Sequence, residues 1–242
     1  KTIHCNIFFR LLFAQIIGAF LYTALFSGNP VSVLLDGDPK PPGIIGIRFS
    51  NDGKYFATCA ENGLFDIWDF ETGALRCAFN LHVKDSMEGW RRTNQTLVKS
   101  FFFDWTGQYL YVLSADNGLF LKVKLQRHII CDTLARNVST ANISPGHTYF
   151  ALGMQNGKII VYEAKSETKR YQLNPEHLKP STTLAFNRGE TKIAYSNEKG
   201  KLIIQGLDGK IYSRLTDKNS RKMIWSSVLF NANDKNLVTL SS

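Results

Sequence analysis

The side chains of this chain that are best suited to acid–base, nucleophilic or metal chemistry are its five histidines and four cysteines. Histidine titrates near neutral pH and binds metals, and a thiolate is both a nucleophile and a zinc ligand. The histidines are scattered, no C-x-x-C pair occurs, and the sequence has no Gly-rich phosphate loop, no G-x-S-x-G elbow and no H-E-x-x-H motif. We therefore expect no catalytic residue, no cofactor, no metal and no small-molecule substrate. We interpret the cysteines, Cys5, Cys59, Cys77 and Cys131, as reduced thiols of an intracellular protein, cytoplasmic or nuclear.

Residue types that suit protein recognition are concentrated between Asn80 and Lys99. Methionine, tryptophan and arginine are such types, and Trp and Arg are strongly enriched at binding hot spots. The candidate partner-binding residues are Met87, Trp90, Arg91 and Arg92. The competing interpretation is a plain surface loop whose tryptophan packs back on its own fold.

The formal charge of +9 is concentrated in the C-terminal part, where residues 151–242 hold fifteen Lys and Arg against eight Asp and Glu. A basic surface favours acidic partners, RNA included. The candidate basic surface comprises Lys169, Arg170, Lys199, Lys201, Lys210, Arg214, Arg221 and Lys222. Tyr171 and Tyr212 lie close to these cations in sequence, as aromatic residues that stack on bases do. The alternative interpretation of the charges is an ordinary solvated surface. The alternative interpretation of the two tyrosines is that they are core-facing strand residues.

A repeated pair of glycine turns predicts the elements that carry these residues. The first turns hold Gly53, Gly107, Gly146 and Gly189, and the second turns hold Gly63, Gly118, Gly157 and Gly200. The two glycines of each unit are therefore 10, 11, 11 and 11 residues apart, and short apolar runs flank them. In three units Asn precedes the second glycine, a pair that indicates a type I′ hairpin because both central residues need positive φ. Each unit then reads as four short strands.

These units resemble WD40 repeats. Trp68-Asp69 is a literal Trp-Asp pair, and Phe49–Gly53 is close to the first turn of that family. The resemblance covers roughly residues 41–242. The chain departs from the family in having no Gly-His pair and in carrying Asn62, Asn117 and Asn156 where the family usually has Asp. In the later units Lys124, Tyr162 and Gln205 align with Trp68.

The resemblance implies an all-β, WD40-type β-propeller of about five four-stranded blades and a C-terminal half blade, either an incomplete ring or a fragment of a longer chain. The predicted segments are blades at 41–79, 100–136, 137–179 and 180–222, an insertion loop at 80–99 and the half blade at 223–242. Residues 1–40 predict a divergent apolar first blade, because Gly18 and Gly28 repeat the 10-residue spacing. A buried or membrane helix over residues 7–26 is the alternative, but its charge-free run Leu11–Phe26 is 16 residues, short of the roughly 20 that cross a bilayer.

For most members of the family the resemblance implies a non-catalytic scaffold that mediates protein–protein interactions within a large intracellular complex. One alternative is a propeller subunit of a ribonucleoprotein assembly that contacts RNA through the basic C-terminal part. The other is a membrane-anchored propeller that uses residues 7–26.

Overall fold

The computed structural model of the chain describes residues 43–81, 97–115, 117–126, 130–175, 180–197, 201–216 and 225–241. The predicted first blade, residues 1–40, lies outside the described residues. Most of the predicted insertion loop does too. All regular structure in the described ranges is β-strand, which confirms the all-β prediction.

The strands form four four-stranded sheets and one two-stranded sheet, each an antiparallel meander in chain order. Sheet one comprises β1 (Ile44–Phe49), β2 (Tyr55–Ala60), β3 (Leu64–Asp69) and β4 (Leu75–Asn80). Sheet two comprises β5 (Val98–Phe103), β6 (Tyr109–Ser114), β7 (Phe120–Lys124) and β8 (Ile130–Ala135). Sheet three comprises β9 (Val138–Ile143), β10 (Tyr149–Met154), β11 (Ile159–Glu163) and β12 (Lys169–Leu173). Sheet four comprises β13 (Ser181–Phe186), β14 (Lys192–Asn197), β15 (Lys201–Gly206) and β16 (Ile211–Thr216), and the half sheet comprises β17 (Trp225–Phe230) and β18 (Leu237–Ser241).

The chain divides into two compact units, residues 1–97, which hold sheet one, and residues 98–242, which hold the other sheets. Within the second unit the first strands of successive sheets are neighbours. Side chains join them, since Asn142 Nδ2 donates to the Leu184 carbonyl at 2.6 Å and Thr182 Oγ1 donates to the Trp225 carbonyl at 3.3 Å. Successive sheets are thus hydrogen-bonded through their first strands.

The middle strands of each sheet are buried on both faces, which explains why their sequences read as continuous apolar runs. The last strands, β4, β8 and β12, are largely exposed. An apolar core fills the space between sheet three and sheet four, and its members include Ile159, Leu173, Leu184, Phe186, Ile193, Tyr195 and Ile203. Aromatic and β-branched side chains favour strands for this reason, because they fill the space between two pleated surfaces.

The first turn of every sheet has the same hydrogen bonds, centred on a polar residue that follows the first strand. These cap residues are Ser50, Asp104, Ser144, Asn187 and Asn231. In each turn the cap side chain accepts a hydrogen bond from the backbone N–H five residues later, at 2.7 to 3.0 Å. The side chain therefore replaces a backbone partner that the tight turn does not supply.

Three residues after each cap the backbone has positive φ, and this position corrects the glycine alignment made from sequence. Gly53 and Gly107 occupy it with φ of 71° and 70°. In the later sheets His147, Glu190 and Asp234 occupy it, with φ of 57°, 54° and 58°. Gly146 and Gly189 therefore lie one residue before the equivalent position. Side chains are rare at positive φ, so their presence at three successive turns calls for a compensating interaction.

The second turns are not the type I′ hairpins that the Asn-Gly pairs predict. The glycine alone has positive φ, 76° at Gly63 and 84° at Gly157, and the positive-φ residues include neither Asn62 nor Asn156. The Gly63 N–H bonds the Ala60 carbonyl at 2.9 Å, as in a type I turn followed by a left-handed glycine. Asn62 instead accepts a hydrogen bond from the Leu64 N–H at 3.1 Å, so the side chain stabilises the turn without positive φ.

Trp68 is buried and stacks on Phe56, with ring centroids 6.1 Å apart, and its Nε1 donates to Thr58 Oγ1 at 3.3 Å. The register places Val123, not Lys124, at the equivalent position of sheet two, because Val123 pairs with Leu110 as Trp68 pairs with Phe56. Tyr162 and Gln205 are equivalent to Trp68 in sheets three and four, as the sequence predicts. Tyr195 and Gln205 of sheet four occupy the positions of Thr58 and Trp68 in sheet one. They are also hydrogen-bonded, with Tyr195 Oη donating to Gln205 Oε1 at 3.0 Å.

Candidate functional site

The side chains at the positive-φ position reach back to the first turn of the preceding sheet. Asp234, in the half sheet, accepts hydrogen bonds from three groups of the turn in sheet four. These are the Arg188 N–H at 2.7 Å, the Gly189 N–H at 3.0 Å and Asn187 Nδ2 at 2.9 Å. Although partial burial raises the pKa of Asp234, these hydrogen bonds lower it below its ordinary value. We call this contact between successive first turns a clasp.

Glu190 of sheet four forms the same clasp with sheet three. Its Oε1 accepts the Gly146 N–H at 2.6 Å, and the hydroxyls of Ser144 and Thr148 donate to the same carboxylate. Partial burial raises the pKa of Glu190, but these hydrogen bonds outweigh burial and hold the pKa below its ordinary value. The carboxylate is therefore ionised at neutral pH.

His147 of sheet three forms the clasp with sheet two, where its imidazole is hydrogen-bonded to the backbone of Asp104. Burial lowers the pKa of His147, while the carboxylates of Asp104 and Glu190 act in the opposite direction. Its Nδ1 is buried without a hydrogen-bond partner among the described residues. The cap and clasp pairs are thus Asp104 with His147, Ser144 with Glu190 and Asn187 with Asp234, so that no pair joins two carboxylates.

Beside the clasp of Glu190, a groove of about 550 Å³ opens where the core between sheets three and four reaches the surface. Its wall on sheet three is formed by Thr148, Tyr149 and Tyr171. The remaining lining residues, from sheet four, are Gly189, Glu190, Thr191, Leu207, Asp208 and Tyr212. The groove therefore combines three phenol rings with two carboxylates, and none of the described residues that line it is a cation.

The tyrosines of the groove are held by specific contacts. Tyr149 and Tyr171 meet edge to face, with ring centroids 6.0 Å apart, and their hydroxyls are hydrogen-bonded. Two cations lie over the ring of Tyr212, with Lys192 Nζ 4.2 Å and Lys210 Nζ 5.4 Å from its centroid. Tyr171 and Tyr212 are 36% and 48% exposed, so the interpretation of these residues as core-facing is wrong.

The structure describes five residues of the predicted basic surface, Lys169, Arg170, Lys201, Lys210 and Arg214. Arg170 forms an ion pair with Glu163 at 2.6 Å, and Lys169 Nζ donates a hydrogen bond to Gln172 Oε1 at 2.6 Å. Lys201 begins β15 and Arg214 lies in β16, both engaged in further contacts. Lys210 lies against Tyr212, whereas Lys199, Arg221 and Lys222 lie outside the described residues. Lys192, which the sequence did not single out, is the cation closest to the Tyr212 ring.

The candidate partner-binding residues Met87, Trp90, Arg91 and Arg92 lie outside the described residues. Among the described cysteines, Cys59 is buried, Cys77 half-buried and Cys131 exposed, and all three are free thiols. The described part of the chain brings together no group of three His, Cys, Asp or Glu side chains that could hold a metal ion.

Sequence reasoning missed the groove residues Tyr149, Glu190 and Asp208. The signal for Glu190 was present, because an acidic residue stands three positions after a polar residue that ends an apolar run. The same pattern marks Asp234 after Asn231. This pattern has no meaning within one repeat, because the acidic side chain accepts hydrogen bonds from the first turn of the neighbouring sheet.

The half sheet presents an exposed apolar face. Leu229, Val238 and Leu240 are 58%, 57% and 63% exposed, and the register places Leu229 opposite Val238. Val228 and Phe230, on the other face, pack against the core of sheet four. Three adjacent apolar side chains are therefore exposed on this face of the half sheet.

A comparison with protein-family models finds no match, and a comparison with curated protein sequences finds none either. Among solved structures, the chain is similar to the crystal structure of the Myceliophteria thermophila Cps50 (Swd1) β-propeller domain, with a TM-score of 0.64 and 11% sequence identity. The similarity covers 82% of this chain and 66% of that one, so the chain spans slightly less than two thirds of the propeller it matches. The four-stranded meanders and this similarity together identify the fold of the chain as a β-propeller.

Proposed function

We propose that this chain is a divergent WD40-type propeller that acts as a non-catalytic scaffold, holding protein partners within a larger intracellular assembly. The groove between sheets three and four carries the proposal. It displays tyrosines, a residue type enriched in interface cores, at the edge of a rigid apolar core.

The scaffold role is tested on the full chain by its sedimentation in native extract. We expect it to sediment in a particle much heavier than its own 27.3 kDa. Replacing Trp90 and Arg91 together by alanine should shift the chain to lighter fractions if the 80–99 segment binds a partner. Trp105→Ala is the matched control, because Trp105 is an exposed tryptophan, at 43%, outside that segment. A wild-type chain that sediments alone at its own mass contradicts the proposal.

The second candidate function is a propeller that contacts RNA, and the exposed ring of Tyr212 beside Lys192 and Lys210 favours it. Aromatic rings next to basic side chains are the elements of sequence-tolerant binding to single strands. A salt titration with an oligouridylate distinguishes this function, since phosphate contacts weaken steeply with ionic strength. Absence of binding at low salt would exclude RNA.

The membrane-anchored alternative depends on residues 7–26, which lie outside the described residues. Among the described residues no helix is long and apolar enough to cross a bilayer. Carbonate extraction of the full-length protein tests the alternative, and release into the soluble fraction argues against an anchor.

A further inference from the structure

We propose that the groove between sheets three and four binds a lysine or arginine side chain of a partner protein, an inference that rests on the proposed scaffold function. The chemistry of the lining carries it. Of the nine described residues that line it, three are tyrosines, two are carboxylates and none is a cation.

The carboxylates provide charge complementary to a cation. Glu190 is ionised, because its hydrogen bonds to the turn of sheet three keep its pKa below the ordinary value. Asp208 Oδ1 accepts the Lys210 N–H at 3.0 Å, whereas Oδ2 accepts no hydrogen bond from the described residues. One carboxylate oxygen at the exposed end of the groove is therefore available to a donor of the ligand.

The rings provide a surface for the apolar stem and the charged end of the same side chain. Long cationic side chains lay their methylenes on apolar surface and keep the charge at the rim. Leu207 and Tyr149, both partly buried, pack against the core and form such a surface. Phenol faces of this protein already hold cations, since Lys192 lies 4.2 Å from the Tyr212 centroid and Arg76 lies 4.3 Å from the Tyr55 centroid.

The same features argue against a nucleic-acid strand inside the groove. A phosphate entering it would approach Glu190 and Asp208, and the described lining residues would offer it no cation. Lys192 and Lys210 contact the ring of Tyr212 but do not line the groove. The observations therefore favour a cationic protein side chain over an RNA backbone.

The test is a chemical-shift titration of tyrosine-labelled full chain with the blocked peptide Ala-Ala-Arg-Ala-Ala. The matched glutamine peptide and an oligouridylate serve as the other probes. We expect saturable shifts of the Tyr171 and Tyr212 ring signals with the arginine peptide and weak or no shifts with the glutamine peptide. Shifts of these signals by the oligouridylate, with none by the arginine peptide, would assign the groove to RNA and overturn the proposal.

The informative variant is Asp208→Asn, because an asparagine keeps the turn. Asn156 accepts the Lys158 N–H at 3.1 Å in an equivalent contact, as Asp208 does with Lys210. We expect the affinity for the arginine peptide to fall by about fivefold, the scale of one exposed charge pair. Tyr171→Leu should also weaken binding, whereas Asp52→Asn, which alters an Asx turn of sheet one, should not. Equal affinity of Asp208→Asn and wild type contradicts the assignment.

The scaffold function and the groove assignment fail separately in these experiments. If the native particle persists and the peptide does not bind, the scaffold stands and the groove is not its contact. If the chain sediments alone but the peptide binds in an Asp208-dependent way, the groove recognises cations and the scaffold proposal is wrong.

Discussion

Asn187, the cap residue of sheet four, provides the sharpest test of the clasp. Its side chain is 3% exposed and accepts the Thr191 N–H at 2.9 Å and the Lys192 N–H at 2.7 Å. It also donates to Asp234 at 2.9 Å. Asn187→Ala removes these three contacts, together with a contact of Nδ2 to Thr191 Oγ1 that is too long, at 3.4 Å, to contribute appreciably, and it leaves the two N–H groups of the turn without this partner.

We expect Asn187→Ala to lower the free energy of unfolding by about 3 kcal/mol, at about 1 kcal/mol for each contact. The hydrogen bond to Asp234 is given the same free energy as a bond between uncharged groups, because water surrounds most of that carboxylate and screens its charge. Asn231→Ala is the matched control. Asn231 makes the same two backbone contacts at 3.0 Å, but it is only half-buried, so water replaces the lost partner and the expected cost is about 1 kcal/mol.

A charge reversal makes the test specific to the clasp. Asn187→Asp keeps the acceptor but sets a carboxylate against Asp234, the combination that the three natural pairs avoid. In sheet two the cap is Asp104 and the clasp is His147, so Asn187→Asp combined with Asp234→His should recover part of the stability that Asn187→Asp loses. Urea unfolding of the full chain, followed by circular dichroism, measures each variant. Equal costs for Asn187→Ala and Asn231→Ala, together with no recovery in the double variant, would refute the reasoning.

Three further predictions concern pH, turn geometry and thiol reactivity. Because the folded-state pKa values of Glu190 and Asp234 are depressed, their stabilisation is complete at neutral pH and is lost as pH falls below the ordinary values of 4.5 and 3.8. Glu190→Gln and Asp234→Asn should therefore flatten acid unfolding curves, and unchanged curves would contradict this. Gly63→Ala should cost about 1 kcal/mol in urea unfolding, because Gly63 has φ of 76°, and a neutral result would argue against the left-handed turn. Peptide mapping after brief treatment with a thiol reagent should find Cys131 modified and Cys59 protected, because Cys59 is buried and its pKa is raised to about 12, and the reverse order would contradict the burial.

The sequence was sufficient for the strands and the fold class, because glycine turns and apolar runs are local signals. It was misleading where a side chain acts through a distant contact. Glycine is the usual residue at positive φ, and the alignment of the repeats therefore placed Gly146 and Gly189 with Gly53. In the structure His147 and Glu190 have the positive φ, and their side chains cap the first turn of a neighbouring sheet. Asn62 was misread for a related reason, since its side chain, not its backbone, stabilises the turn.

The candidate site was harder to predict than the fold. Tyr171 was a candidate for RNA stacking because basic residues adjoin it in the sequence. Its exposure arises because it lies in β12, the last strand of sheet three. Glu190 and Asp208 come from two different turns of sheet four, and the groove that they line is completed by Tyr149 and Tyr171 of sheet three. No local pattern joins residues of two turns in this way, so the groove emerges only from tertiary structure.

The clasps all point in one direction, and this has a consequence for synthesis on the ribosome. The first turns of sheets two, three and four are completed by side chains that are translated later, 44 residues on for Gly146 and Glu190 and 47 residues on for Asn187 and Asp234. A nascent chain therefore exposes an unfinished turn until the following sheet has emerged from the exit tunnel. Maturation should advance from the N-terminus in steps of one sheet, and a ribosome stalled just before Asp234 should carry sheet four in a protease-sensitive state.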